Sequence, residues 1–272
     1  MYHLGSGRSF GDRFGVLNEA MTPPSSEPPI REVALARPRL ALVLGVGMGI
    51  VTAAGLLAEI LQAALRLKGN RGLVPVFSLS YEENVPTWYS SILLFATGAL
   101  LLLIGAEARK SRAPFGFHWY ALAAGFFYIS MDEVVSIHEH AGWLRLGGVL
   151  YFSWVIPAAV VVAIVGLSYI RFLKHLPPKT RLRFLVSGAI HVGGAVGMEL
   201  PLGYWTERSG TNNFVYVALD WVEESMEILG VTLFLLSLVD HLRARGVRLR
   251  FESELERAPA LPDESESERE RA

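Results

Sequence analysis

The chain contains no cysteine. That excludes disulfides, thiolate metal sites, iron–sulfur clusters and covalently attached haem. Histidine and carboxylate remain as the only strong metal ligands, and there are just 7 histidines in 272 residues. An excess of either charge is also missing. The 25 Lys and Arg nearly cancel the 26 Asp and Glu, leaving a net charge of -1. No global basic field points to nucleic acid as a partner. Charged residues make up only 19% of the chain against 51% hydrophobic, with a mean hydropathy of +0.35. That is too apolar for an ordinary soluble domain of this size. Residues 1–30, rich in Gly, Ser and Pro, lack the basic-then-apolar order of a cleaved signal peptide. The first apolar helix is therefore expected to act as an uncleaved membrane signal.

What the chain does have is long apolar runs. A bilayer core about 30 Å thick needs roughly 20 apolar residues per helix. Leu40–Leu67, Pro86–Ala108, Phe117–Ala141, Val149–Leu173, Phe184–Trp205 and Phe214–Leu242 meet that need. The expected fold class is all-α, a polytopic membrane helix bundle of about six transmembrane helices. Residues 39–243 would form this domain. Residues 1–38 read as a disordered cytoplasmic segment and 244–272 as a disordered charged cytoplasmic tail. Pro157 and Pro201 fall inside spans, where neighbours or water can satisfy a freed carbonyl. Gly45/Gly49 and Gly193/Gly197 have the GxxxG spacing that permits close helix approach, or are simply small residues scattered in apolar helices.

Orientation follows from the flanking cations. Arg31, Arg37 and Arg39 precede the first span, Arg109, Lys110 and Arg112 follow the second, Arg171 to Arg183 join the fourth and fifth, and Arg243 to Arg250 follow the sixth. The alternate side carries Arg66, Lys68, Arg71, Arg145 and Arg208. Both termini are expected in the cytoplasm. Trp88, Trp119, Trp143 and Trp205 lie near expected interfaces, as an aromatic belt would.

Against this apolar background the acidic residues stand out. Asp132, Glu133, Glu139, Glu199, Asp220, Glu223, Glu224, Glu227 and Glu59 all fall in the outer half of the expected bundle, and Glu82 and Glu83 precede the second span. At about 100° per residue, Asp132, Ser136 and Glu139 share one helix face and Glu133 and His140 border it. His138 points away on that count. Asp220, Glu223, Glu224 and Glu227 share an arc of about 100° on the sixth span. A carboxylate inside a membrane costs a few kcal/mol or more unless it pairs, binds an ion or lines water. Cations are scarce there, so the cluster must hold protons or bind a metal. His191 reads equally as a packing histidine and as a ligand. His3, His118, His175 and His241 lie at or beyond helix ends and look incidental.

The stretches EENVPTWYSS (Glu82–Ser91), SMDEVVSIHE (Ser130–Glu139) and EESMEILG (Glu223–Gly230) together carry a likeness. In them the chain resembles a group of uncharacterised bacterial multi-pass membrane proteins with an E-x-N-V-P-T-W motif, a D-E…H-E helix and an E-E-x-x-E helix. The resemblance runs from about Phe77 to Gly230. It implies a multi-pass protein of a bacterial inner membrane, surrounded by membrane lipids. It marks Glu83, Trp88, Asp132, Glu133, His138, Glu139, Glu223, Glu224 and Glu227, and so brings back the His138 that the face count set aside.

Three functions compete. In the first, a metal-dependent membrane enzyme acts on a lipid or lipid-linked substrate. Its metal ligands would come from Asp132, Glu133, His138, Glu139, Glu199, Glu223, Glu224, Glu227 and His191, and its catalytic group from Asp132, Glu133 or Ser136. Oxygen-rich shells favour Mg or Mn, and added His admits Zn or Fe. The soluble di-iron signature Glu-x-x-His is absent, because Val135 stands where it needs Glu before His138. In the second, the carboxylates form a relay in a proton- or cation-coupled transporter or conducting subunit. Six spans are few for such a carrier, which then calls for a homo-oligomer. In the third, the cluster only locks the bundle of an accessory membrane protein. The ligand types lean toward the first.

Overall fold

The computed structural model describes residues 37–65, 72, 74–140 and 146–246. The expected disordered ends lie outside these residues, save at their inner edges, as do Trp143 and the side chains of Glu139 and His140. Every regular element among the described residues is helical: α1 (Arg37–Leu65), α2 (Val74–Phe77), α3 (Val85–Lys110), α4 (Gly116–Val135), α5 (Ile137–His140), α6 (Val155–Ser168), α7 (Ile170–His175), α8 (Pro178–Val192), α9 (Glu199–Ser209) and α10 (Phe214–Ala244). A π-helical turn, Gly193–Met198, fuses α8 to α9, and a 3-10 turn, Gly148–Leu150, precedes α6. Three helices are long and apolar enough to cross a membrane: Arg37–Leu61, Val85–Lys110 and the fused Pro178–Ser209. α4 and α10 are long enough too, but carboxylates dilute their apolar character, and α6 is apolar but only 14 residues.

Helix starts follow from sequence. Asn84 caps α3, its Oδ1 accepting the Thr87 N–H at 3.1 Å, and Asn213 caps α10 through the Tyr216 N–H at 3.0 Å. Pro86 sits in the first turn of α3 and Pro157 in that of α6, where no intrahelical N–H is owed. Pro201 would crowd the carbonyl of Gly197, four residues back, but that residue lies in the π-helical turn, whose wider pitch relieves it.

α10 is the central element, packed on α1, α3, α8, the π-helical turn and α9, while α3 and α4 form an antiparallel pair. Near the end holding the α10 C-terminus, Trp119 of α4 is enclosed by Phe172, Phe184 and His241. It is only 2% exposed, so it belongs to the core and not to an interfacial belt. His241, with no role expected from sequence, is buried in the same cluster. At that end Asp240 ties three helices, taking Arg37 Nε at 3.2 Å and Arg183 Nη1 at 2.7 Å.

Lipid gives apolar side chains little reason to leave it, so close backbone approach carries much of the helix association. The glycines involved differ from the expected pairs. Gly45 and Gly49 face open space. The tight crossings are at Gly230, where a Cβ would lie 2.6 Å from the His191 backbone nitrogen, and at Gly194, where it would meet the Glu223 carbonyl at 2.8 Å. Thus one expected pair faces open space, and the other marks the α8–α10 seam through Gly193 and Gly194, not Gly197. Gly230→Ala is expected to destabilise the purified protein by about 1–3 kcal/mol through overpacking, while Gly49→Ala leaves it unchanged. Thermal unfolding in detergent measures both, and equal behaviour would contradict the seam.

Candidate functional site

The acidic residues are placed by one helix break and two caps. α4 stops at Val135 because Ser136 takes a left-handed conformation (φ 55°), its N–H closing on the Asp132 carbonyl at 2.7 Å. A face count that runs one straight helix through residue 140 therefore fails at Ser136. The break turns the chain so that His138 comes back onto Asp132. Its backbone N–H donates to Asp132 Oδ1 at 3.1 Å, and its Nδ1 lies 2.9 Å from Oδ2. His138 Nε2 is 3.9 Å from Glu82, and its ring lies 5.0 Å from that of Trp154. Trp154 Nε1 in turn donates to Glu199 Oε1 at 2.9 Å. His138 thus packs on Asp132 instead of pointing away from it as the face count expected.

The break also divides the work of α4. Asp132 is held by His138, and Glu133 is the residue that looks toward α10. Glu133 takes a hydrogen bond from the Ser90 hydroxyl and lies within electrostatic reach of Glu224 and Glu227. Glu223 faces Glu199, Glu224 and Asp220, and Glu227 faces Glu199 as well. Glu223 is 7% exposed, and its Oε2 is buried without a hydrogen-bond partner. Glu224 and Glu227 sit between the same helices yet keep accessible surface. A chain of hydroxyls completes the wall. Ser80 donates to Asp220 at 2.6 Å, and Ser78 donates to Glu59.

A family model described as a domain of unknown function, DUF8692, matches residues 40–242. The chain belongs to the DUF8692 family. Neither a curated protein nor a solved structure matches it. The DUF8692 match runs from α1 to α10 and so contains the whole acidic cluster.

Within this DUF8692 region the candidate residues separate. Asp132, Glu133, His138, Glu199, Glu223, Glu224 and Glu227 gather in one cluster where α4, α5, α9 and α10 come together. His191 lies at its edge, its Nδ1 on the Glu227 carbonyl at 3.2 Å across the tight α8–α10 seam, which is a packing role. Ser136 serves as the break. Glu83 and Trp88 are exposed. The Asn, Pro and Thr of the EENVPTW motif build the start of α3, with Asn84 Nδ2 also donating to the Ser78 and Tyr81 carbonyls at 2.7 and 2.6 Å. Among the described residues no three His, Asp or Glu side chains converge as around a metal ion. Sequence reasoning missed Ser78, Ser80, Ser90 and Trp154. The only sequence signal for the first two is their position just ahead of the EENVPTW motif.

The Trp154–Glu199 bond ties the start of α6 to the pocket. A double-mutant cycle on Trp154→Phe and Glu199→Gln should show about 1 kcal/mol or more of coupling in detergent unfolding. Trp154→Phe with Asp240→Asn, at the far end, should show none. Additivity in the first cycle would mean that the bond does not hold the two segments together.

Proposed function

We propose that this protein crosses a bacterial inner membrane six times with both termini cytoplasmic, and that its acidic pocket, in the outer half, takes up cations within a proton- or cation-coupled carrier. One observation supports this above the others. Among the described residues Arg37 and Arg183 pair with Asp240, at the far end, whereas in the acidic cluster Asp132 and Glu82 pair with the weaker base His138. Carboxylates crowded in an apolar bundle without basic partners need protons or cations to balance them. They are also strung out. Asp220 to Glu227 covers about 10 Å of helix rise, which suits stepwise transfer better than a single point of coordination.

A second reading keeps the metal-dependent enzyme acting on a lipid. The buried, unpartnered Oε2 of Glu223 favours it, because such an oxygen is a ligand in waiting. Glu199 and Glu227 would complete an oxygen-rich shell for Mg or Mn, or with His138 for Zn or Fe. Asp132 and Glu133 would then be the acid–base pair.

Reporter fusions after Arg112 and after Arg183 should both report cytoplasm, and an external signal at either would refute the topology. In proteoliposomes under an imposed pH gradient, the wild type should dissipate the gradient about tenfold faster than Glu224→Gln. Equal rates would sink the relay. Stoichiometric divalent metal in the purified protein, lost in Glu223→Gln together with thermal stability, would establish the second reading instead.

A further inference from the structure

The end of the bundle that holds the α10 C-terminus carries cations that no carboxylate answers. Arg109, Lys110 and Arg112 close α3 and begin the turn after it, Arg171 and Lys174 lie on α7, and Lys179 is in the first turn of α8. All six are exposed, and among the described residues none of them has an ion-pair partner. Glu107 and Asp240 are the described carboxylates at this end, and Asp240 is already taken by Arg37 and Arg183. Cations beside a span orient a helix bundle whatever their arrangement. Here the arrangement is fixed.

In the turn between α3 and α4, Arg112 and Phe115 both take left-handed conformations, with φ of 52° and 64°, which residues with a Cβ seldom adopt. The Ala113 N–H closes on the Ala108 carbonyl at 2.7 Å and the Arg112 N–H on that of Arg109 at 3.1 Å. This turn delivers the Phe115 ring to α7, its centroid 5.3 Å from that of His175 and 6.0 Å from that of Phe172. A second tie is the Tyr169 hydroxyl, which donates to the His118 carbonyl at 2.7 Å. Arg171 and His175 are one turn apart on α7, so Arg171 stands beside this contact, with Lys174 at the same end of the helix. Cations from the α3–α4 turn and from α7 therefore meet on one supported surface, which lowers the conformational cost of using them together. Bordering them are Phe117, 80% exposed in the first turn of α4, and Leu182, 62% exposed and three residues after Lys179.

We propose that this surface binds the headgroup of an anionic phospholipid through Arg112, Arg171 and Lys174, with Phe117 against its acyl chains. Two observations decide the class. Unpaired cations call for an anion, and guanidinium groups brought together from two elements suit the oxygens of a phosphate. The exposed Phe117 and Leu182 call for an apolar neighbour at the same place. A soluble acidic protein or a nucleic acid answers the charge alone, whereas a lipid supplies the anion and the apolar chain in one molecule. The inference needs only that the chain lies in a bilayer, and it does not depend on the acidic cluster at the other end.

Native mass spectrometry of the full chain in detergent counts the lipids it retains. Offered phosphatidylglycerol and phosphatidylcholine with the same acyl chains, the wild type should retain the first about tenfold more. The triple variant Arg112→Gln, Arg171→Gln, Lys174→Gln should lose that preference. Arg39→Gln should keep it, because Arg39 stands at the start of α1, which packs mainly on α10, α2 and α3. All four positions are exposed, so the lipid-free melting temperatures should match that of the wild type. If the triple variant melts early, Arg112→Gln alone decides, and it should lose most of the preference. Equal retention of the two lipids would overturn the proposal. So would a loss in Arg39→Gln as large as in the triple variant, because it would reduce the surface to a uniform cationic belt. Glycerol phosphate, a head without acyl chains, should displace the lipid only weakly. Displacement by it at the concentration of the lipid itself would show a site for a soluble anion, and displacement by a peptide of residues 252–272 would make the acidic tail the occupant. Either result would overturn the lipid.

Discussion

Neutrality inside an apolar bundle is the constraint on which the arrangement depends. Glu133, Glu199, Asp220, Glu223, Glu224 and Glu227 approach one another from α4, α9 and α10. A buried charge without a partner costs several kcal/mol, and like charges at low dielectric add to it. Hydroxyls, one indole and one imidazole offset part of this. Ser80, Ser90 and Trp154 each satisfy one carboxylate. None of these brings a full positive charge.

The opposite end shows that the fold can neutralise a carboxylate when no response is needed. Asp240 has two guanidinium partners and is partly exposed, so each pair contributes at most about 1 kcal/mol. Its role is to tie α1 and α8 to α10 near the end of the bundle. The contrast is with Asp132 and Glu82 at the other end, which pair with the imidazole of His138.

Much of this was legible in the sequence. Apolar runs gave the helices, because length and hydropathy respond to the same bilayer thickness. The acidic stripe of α10 was legible because α10 stays regular from Phe214 to Ala244, so helical arithmetic holds along it. α4 defeated the same arithmetic. Nothing in SMDEVVSIHE announces a left-handed serine, and a single φ of 55° at Ser136 brings His138 back onto Asp132. Glycine spacing misled for a different reason. GxxxG describes what a helix can do, while the crossing at Gly230 depends on His191, 39 residues away. Hydrogen bonds such as Trp154 to Glu199 are equally invisible, because they join segments whose separation in sequence carries no period.

The break at Ser136 bears on how the pocket is closed. A straight α4 would carry His138 away from α10, leaving Asp132 with no basic group nearby. By ending the helix one turn early, the chain folds its own histidine over the carboxylate and sets it against Trp154. Nδ1 is committed to Asp132, which leaves Nε2 facing Glu82 at 3.9 Å. Through Trp154 the same cluster touches the anchored head of α6. A change in the charge carried by these carboxylates would therefore be felt first by His138 and by Trp154, the residue just before α6.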